Sequence, residues 1–576
     1  MERIIECVPN FSEGRNQDVI NAIVEAIRIG GKNADCKEPG VKVLDVDPGE
    51  ATNRTVVTFA GSPEAVMEAA FEGVKKAGEL IDMRHHHGAH PRSGATDVLP
   101  LIPISGISLE ECASLARQLA ERIFRELGIA CYCYEAAAYT PERKNLAVCR
   151  SGEYEALPQK LADKKLRPDF GPEEYNETIA RSGASNVGAR DFLIAVNFNL
   201  NTTSTRWANE VAFDVRERGR AKREGDPYAG KIVKDADGKT VMIPGTLKGC
   251  KAIGWYIDEY GIAQVSMNIT DINATPLHKA FDEVCRAAQE RGLRVTGTEI
   301  IGLIPKRSLI DAGRYFLEKQ HRSTGIPEAE IMKIAIKSMG LDELKPFEVK
   351  EKVIEFLIED EATKAEKERL TRMTCRAFAE ETSSESPAPG GGSISAYMAA
   401  LGTALGSMVA NLSAHKRGWE SRWKEFSDWA EKAQAVMKDL LALVDEDTAA
   451  FNRLMDAMRM PKGTPEQIEE RNAAMEAATI YATQVPLRTM ETAARAFPVL
   501  RQMALEGNPN SVSDAGVGAL AVRSAILGAQ LNVKINAAGL QNRETAERLL
   551  SEAEGIAAAA IKEEQDILAL VNSKIS

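Results

Sequence analysis

Apolar and polar positions along the opening part of the chain follow two rhythms. The stretches "RIIECVPNF", "VKVLDVD" and "RTVVTFAG" have the short period of strands, whereas "NQDVINAIVEAIRI" and "SPEAVMEAAFEGVKKAGELI" repeat apolar residues every three or four positions and predict helices. The strand "TDVLPLIPI", the helix "SLEECASLARQLAERIFRELG" and the strand "IACYCYEAA" complete a β-α-β-β-α-β order that resembles the split β-α-β pattern. From Asp191 the order begins again. "FLIAVNFNL" predicts a strand, "STRWANEVAFDVRERG" a helix, and "KAIGWYIDEYGIAQVSMNIT" two strands about a Tyr-Gly turn. A helix in "PLHKAFDEVCRAAQERG", a strand in "LRVTGTEIIGLIP" and a helix in "KRSLIDAGRYFLEK" follow. Two α/β halves facing each other across a cleft are expected, and a pocket between halves is a usual place for a ligand. The stretch "PDFGPEEYNETIARSGASNVGARDF" reads as a loop-like bridge whose glycines permit close approach to a flat ring.

After "EKVIEFLIED" the pattern changes. A charged stretch and "SSESPAPGGGS" lead into segments rich in alanine and leucine, from "SISAYMAALGTALGSMVANLS" to "ERLLSEAEGIAAAAIKEEQDILALVNS", with almost nothing strand-like among them. A helix bundle is the natural packing. The expected architecture is therefore multidomain: α/β subdomains at 1–190 and 191–358, a linker at 359–370, and an all-α helical-bundle domain at 371–576.

Composition narrows the function classes. A chain of 576 residues with 27% charged and 44% hydrophobic residues is long enough for several packing units. It has no apolar run approaching the ~20 residues of a bilayer span. No membrane partner is expected, and the charged start "MERIIECVPNFSEGRN" lacks a secretion signal. A net charge of -12 argues against a nucleic-acid partner. The nine scattered cysteines read as reduced thiols in a cytoplasmic protein, with Cys131 and Cys133 on one strand face.

Four of the seven histidines fall in "RHHHGAHPRSGATDV". Consecutive His85, His86 and His87 rarely converge on one ion, so no metal is expected. Surface crowding leaves unexplained the Gly88, Pro91 and Gly94 spacing, which fixes the backbone around His90 and Arg92. An acid/base histidine, oriented by Asp97 or by the strand-end carboxylates Asp45 and Asp47, is favoured. Asp45 and Asp47 share a strand face beside Pro48-Gly49, where turn capping and site chemistry both remain open. In "GTLKGCKAIGW", Lys248 and Lys251 lie in a glycine-punctuated loop that either holds a carboxylate or is simply solvated. In "LLALVDEDTAAFNRLMDAM", Leu440, Val444, Asp447, Phe451, Leu454 and Met458 keep a helical spacing that puts Asp447 on the apolar stripe, with Asp445 and Glu446 on solvated faces. A carboxyl there has its pKa raised and suits proton transfer; the alternative is an aspartate satisfied by a helix end or an arginine. "PAPGGGS" leads straight into a helix, whose amides can receive an anion.

Taken in order, "ECVPNFSEGRN", "LDVDPGEATNRTV", "GAHPRSGATDVLPLIPI", "SGEYEALPQKL", "DFGP", "GWYIDEYGIAQVS", "PAPGGGS", "LVDEDTAAF" and "LNVKIN" resemble the formiminotransferase-cyclodeaminase family from end to end. The resemblance implies a bifunctional folate enzyme of histidine degradation, with the α/β part as formiminotransferase and the helical part as cyclodeaminase. It implies His90 and Asp47 as catalytic residues of the transferase and Asp447 as that of the cyclodeaminase. Arg92 would hold substrate carboxylates. Folate would be met by Gly171, Pro172 and Gly183 and by Gly245, Lys248, Lys251 and Gly254. It further implies N-formimino-L-glutamate and tetrahydrofolate, the latter polyglutamylated, as substrates, and a homo-oligomeric ring of dimers. The competing readings are a methenyltetrahydrofolate cyclohydrolase in the helical part, or a non-catalytic folate-binding scaffold.

Overall fold

The computed structural model describes residues 3–33, 40–49, 53–87, 92–359, 369–386 and 388–575. The chain divides into two compact units, Met1–Asp311 with Met339–Thr363, and Ala312–Ser338 with Lys364–Ser576.

In the first unit, the stretch expected as one opening strand is two, β1 (Ile4–Cys7) and β2 (Asn10–Phe11). Pro9 has no N–H to give the ladder, so the strand is interrupted there and resumes in the same lane. Helix α1 (Gln17–Asn33) leads to the hairpin β3 (Lys42–Gly49) and β4 (Arg54–Gly61), and α2 (Pro63–Leu80) to β5 (Thr96–Ser105). β4 lies between β1 and β3, and β1 lies between β4 and β5, all antiparallel. Two β-α-β units are thus each split by a strand, as the element order predicts. Alternation along β4 sends Val57 and Phe59 into a core with Ile20, Ile23 and Ile27 of α1 and Val66 and Ala69 of α2. Asp45 and Asp47 are registered against Thr58 and Val56 on the opposite face.

Beyond β5 the sheet continues in parallel through β7 (Ala184–Ala189) to β6 (Ala130–Glu135), which follows α3 (Leu109–Leu127). β7 corrects the expectation of a loop-like bridge. "ASNVGA" carries small residues that read as loop, yet every one is buried between two neighbouring strands. Its smallness serves packing: a Cβ on Gly188 would lie 2.5 Å from the Tyr134 ring.

The second half repeats the plan. β8 (Ile194–Leu200), α4 (Thr205–Val215), β11 (Cys250–Ile257), β12 (Ile262–Ile269), α5 (Leu277–Gln289) and β13 (Val295–Ile301) form a four-stranded antiparallel sheet in the order β11-β12-β8-β13. A small hairpin of β9 (Arg220–Ala221) and β10 (Met242–Ile243) is inserted after α4.

The second unit is all-helical over α6 (Gly391–Ala414), α7 (Trp423–Arg459), α8 (Pro465–Ala494), α9 (Phe497–Glu506), α10 (Val512–Ala538) and α11 (Arg543–Ile575). Sequence periodicity left α9 and α10 unassigned, because helices apolar on most faces lack an amphipathic signal. Gly391–Ala414 and Pro509–Ala538 are long and apolar enough to cross a bilayer, contrary to the compositional expectation, but half or more of each apolar window is buried within the unit. The stripe on α7 also differs from its reading: Leu440 and Val444 are buried, whereas Phe451 and Met458 are exposed. The buried face drifts to Ala450 and Ala457.

Candidate active sites

In the α/β unit, His90 lies outside the described residues, and the residues flanking 88–91 are held as follows. His86 is buried, and its Nε2 is 2.9 Å from the Asn53 carbonyl while Arg92 Nε reaches its Nδ1 at 3.4 Å. That pairing makes Nδ1 the acceptor and Nε2 the donor, which is the neutral tautomer. Burial pushes the imidazole below its ordinary range, and Arg92 adds to that. Asn53 accepts from Gly14 N–H at 3.0 Å and donates to the His87 carbonyl at 3.0 Å, joining the "NFSEGR" turn to the histidine loop. His85 and His87 are exposed.

Arg92 is held by Glu155 at 2.7 Å and Glu153 at 3.1 Å, and Glu155 foremost keeps its guanidinium protonated. A substrate carboxylate would have to displace these glutamates, so the free cation expected at Arg92 is a saturated one. Asp97, fully buried, accepts the Ser93 N–H at 2.9 Å and pairs with Arg150. It fixes the loop's exit and is spent there as a histidine partner. Asp47 is exposed and has no hydrogen-bond or ion-pair partner among the described residues, which leaves its carboxylate available to a ligand.

The glycines divide by what surrounds them. Gly183 has φ 68°, and a Cβ on it would lie 2.3 Å from the Ser93 carbonyl oxygen; it clamps the segment after Arg92. Gly171 packs against Pro168, and Pro172 beside it is half-buried. Gly245 sits against the Arg216 carbonyl oxygen, and Gly254 faces α4, where its N–H donates to Asn209 Oδ1 at 3.0 Å. These contacts give all four glycines packing roles. Lys248 is exposed, while Lys251 points from β11 away from the helices and lies in the field of Glu135 with Arg190 and Lys144. Burial raises the Glu135 carboxyl. Lys251 and Glu135 come from different halves, so the two halves do bring charged groups together.

In the helical unit the geometry is tighter. Asp447 Oδ2 accepts the Ser393 hydroxyl at 2.9 Å and also a backbone hydrogen bond from Ser393, at the N-terminal end of α6. A Cβ on Gly392 would lie 2.1 Å from Asp447 Oδ1, and one on Gly391 3.2 Å from Asn532 Nδ2. The "PGGGS" turn is therefore a cradle, and the anion it receives is the chain's own aspartate. Burial raises the Asp447 carboxyl against the lowering effect of the Ser393 bonds. A carboxyl raised by burial and held by donors is suited to proton exchange. Of the two sequence alternatives the structure shows the helix-end partner, and the same Asp447 carboxyl is raised by burial.

Glu446 corrects its reading as a solvated residue. It accepts from Tyr481 OH and from Arg488, each at 2.5 Å, and these partners hold its carboxyl low despite burial. Arg453 lies 4.5 Å over the Tyr481 ring. Ser393, Asn532 and this cluster had no individual signal in the sequence beyond lying in or near "PAPGGGS", "LVDEDTAAF" and "LNVKIN". Among the described residues no three metal-ligating side chains converge.

Comparison with known proteins covers both parts. Residues 4–190 match the formiminotransferase domain, N-terminal subdomain; residues 195–359 match the formiminotransferase domain; residues 374–555 match formiminotransferase-cyclodeaminase. The formimidoyltransferase-cyclodeaminase of Sus scrofa is 41% identical over 93% of both chains. The glutamate formimidoyltransferase of Streptococcus pyogenes is 40% identical over 55% of this chain and 94% of its own length. A methenyltetrahydrofolate cyclohydrolase of Methylorubrum extorquens is 34% identical over 35% of this chain and 98% of its own length. With matching models along both parts and full-length similarity of this order, the chain belongs to the formimidoyltransferase-cyclodeaminase family.

Proposed function

We propose that the chain transfers the formimino group of N-formimino-L-glutamate to tetrahydrofolate, releasing L-glutamate, and then closes 5-formiminotetrahydrofolate to 5,10-methenyltetrahydrofolate with release of ammonia. The observation that carries the reading is Asp447, an acid raised by burial and aimed by Ser393 at a helix end in a chain of this family. In the cyclisation the folate's 10-nitrogen attacks the formimino carbon carried on the 5-nitrogen, and the amino group of the resulting tetrahedral carbon must take up a proton to leave as ammonia. Asp447 shuttles that proton, and Ser393 holds the carboxyl toward the reacting carbon. In the transfer step His90 takes the proton from the folate amine as it attacks and returns it to the leaving glutamate nitrogen, with Asp47 of β3 orienting the exchange. His86, fixed as the neutral tautomer, supports the loop rather than the chemistry.

Formiminoglutamate and tetrahydrofolate are supplied together, and methenyltetrahydrofolate absorbance, glutamate and ammonia are followed. Asp447→Asn is expected to keep glutamate release and lose ammonia release by a hundredfold or more; His90→Ala is expected to lose both. Full-rate ammonia release by Asp447→Asn overturns the assignment. The similarity to the cyclohydrolase supports a second reading of the helical part; hydrolysis of methenyltetrahydrofolate without ammonia chemistry would decide for it. A polyglutamylated folate is the proposed physiological substrate. Exposed Val517, Leu520, Leu531 and Ile535 along one side of α10 support association with further copies, proposed as a ring of dimers. The free thiols of Cys7, Cys112, Cys131, Cys133, Cys149 and Cys250 support a reducing, cytoplasmic setting.

A further inference from the structure

The end of α4 and the inserted β9-β10 hairpin enclose a cavity of about 320 Å³ lined by Arg216, Arg218, Arg220 and Arg223, with Glu210 and Phe213 among the other residues. Most guanidinium groups in a folded chain find carboxylates, yet among the described residues one of these four does. Arg220 pairs with Glu210 at 2.6 Å and with Asp214, which Arg291 also claims. Arg216 donates to the carbonyls of Gly219 at 3.0 Å and Ala252 at 3.2 Å and lies 4.2 Å over the Phe213 ring. Arg223 donates to the Gly230 carbonyl at 2.7 Å. Backbone carbonyls fix the direction of these two groups without neutralising them. Arg218 is exposed and has neither hydrogen bond nor ion pair among the described residues. Three positive charges are therefore held together in a chain of net charge -12. Burial, with repulsion from Arg218 and Arg220, lowers the pKa of Arg216, as expected where cations are crowded without a counterion.

We propose that this cavity binds a multivalent oxyanion, a small molecule with two or more phosphoryl or carboxylate groups, on Arg216, Arg218 and Arg223. Planar guanidinium forks with free N–H donors suit phosphoryl and carboxylate oxygens in paired hydrogen bonds. The volume lies at the low end for ligand pockets, which fits a short anion or the end of a longer one. The end of α4 leading to Arg216 and Arg218 is also bonded to the "GTLKGCK" loop. Thr246 and Leu247 N–H donate to the Asp214 and Val215 carbonyls, each at 3.0 Å, and Gly249 N–H to Glu217 at 2.9 Å. An anion drawing Arg216 and Arg218 together is thereby coupled to the loop that carries Lys248. The proposal does not depend on the activity proposed above.

Calorimetric titration of the full chain with sodium tripolyphosphate and, separately, with γ-linked triglutamate, at constant ionic strength set with chloride, tests it. Saturable one-to-one binding of either probe is expected, and which probe binds tells a phosphate ligand from a glutamyl chain. Arg218→Glu should weaken that binding at least tenfold, as should Arg223→Gln, with circular dichroism unchanged. No saturable binding of either probe, or equal affinity in wild type and Arg218→Glu, overturns the site.

Discussion

Replacing Gly392 with alanine is expected to silence ammonia release while leaving the helical unit folded. The added Cβ would lie 2.1 Å from Asp447 Oδ1 and 2.6 Å from Cγ, where real Cβ contacts stay beyond 3.0 Å. Something must therefore move by about 1 Å. The helix cannot readily do so, because α6 crosses α10 at Gly402 and Gly518, where a Cβ on either would come within 2.8 Å of the other's carbonyl oxygen. The carboxyl, at the end of a side chain, yields instead and leaves Ser393. A misplacement of ~1 Å of a reacting group costs on the order of a hundredfold in rate, or about 2.7 kcal/mol. Gly→Ala near a helix start is worth up to ~1 kcal/mol in the favourable direction, so stability changes little. The assay is ammonia release from 5-formiminotetrahydrofolate, with glutamate release from formiminoglutamate as internal control and the melting midpoint as the fold check. Ammonia release within twofold of wild type, with the fold intact, would refute the cradle as the device that aims Asp447.

Two further substitutions probe the α/β unit. Glu6 on β1 is 4% exposed, and burial pushes its carboxyl from 4.5 to about 7 against the opposing field of Arg190. The native state thus holds the proton between those values while the unfolded chain has released it, so stability falls as pH rises from 4.5 to 7, by about 3 kcal/mol in all. Glu6→Gln should remove that slope: urea midpoints of variant and wild type are expected to coincide near pH 4.5, and the variant's to be higher at pH 8. Equal midpoints at pH 8 would contradict it. Gly183→Ala places a Cβ 2.3 Å from the Ser93 carbonyl oxygen at a residue with φ 68°. Glutamate release should fall at least tenfold and ammonia release from supplied 5-formiminotetrahydrofolate should not; a normal transfer rate would show that the clamp does not position the histidine loop.

Element type was legible where one face of an element is buried and the other wet. β3 and β4 show this, since the alternation that hides Val57 and Phe59 also presents Asp45 and Asp47 together. It failed where burial is on every side. β7 is six residues of modest hydrophobicity enclosed by β5 and β6, and α10 is apolar almost all round, so neither carries a period to read. The sites divided likewise. Asp447 was reachable because a carboxylate interrupts an apolar spacing, although that spacing leaves the core at Phe451. Glu446 was misread because a helical wheel knows only its own helix, and Tyr481 and Arg488 arrive from α8.

Glycine is the residue whose role changed most between sequence and structure, and the reason is general. A glycine in a loop near a site looks like room for a ligand, yet the same absent side chain also lets two pieces of the protein touch. Gly171, Gly183, Gly245 and Gly254 are all filled from within the chain, by Pro168, the Ser93-Gly94 backbone, the Arg216 and Asp214 carbonyls, and Asn209. Gly392 belongs with them in geometry but differs in consequence, because what fills its space is a carboxyl that burial keeps ready to take a proton. A glycine therefore points to chemistry when the group it admits can itself react, and to architecture when that group is backbone or hydrocarbon. By that criterion the exposed side chains Asp47, Lys248 and Lys251 are better candidates for the proposed folate and formiminoglutamate contacts than the glycines beside them.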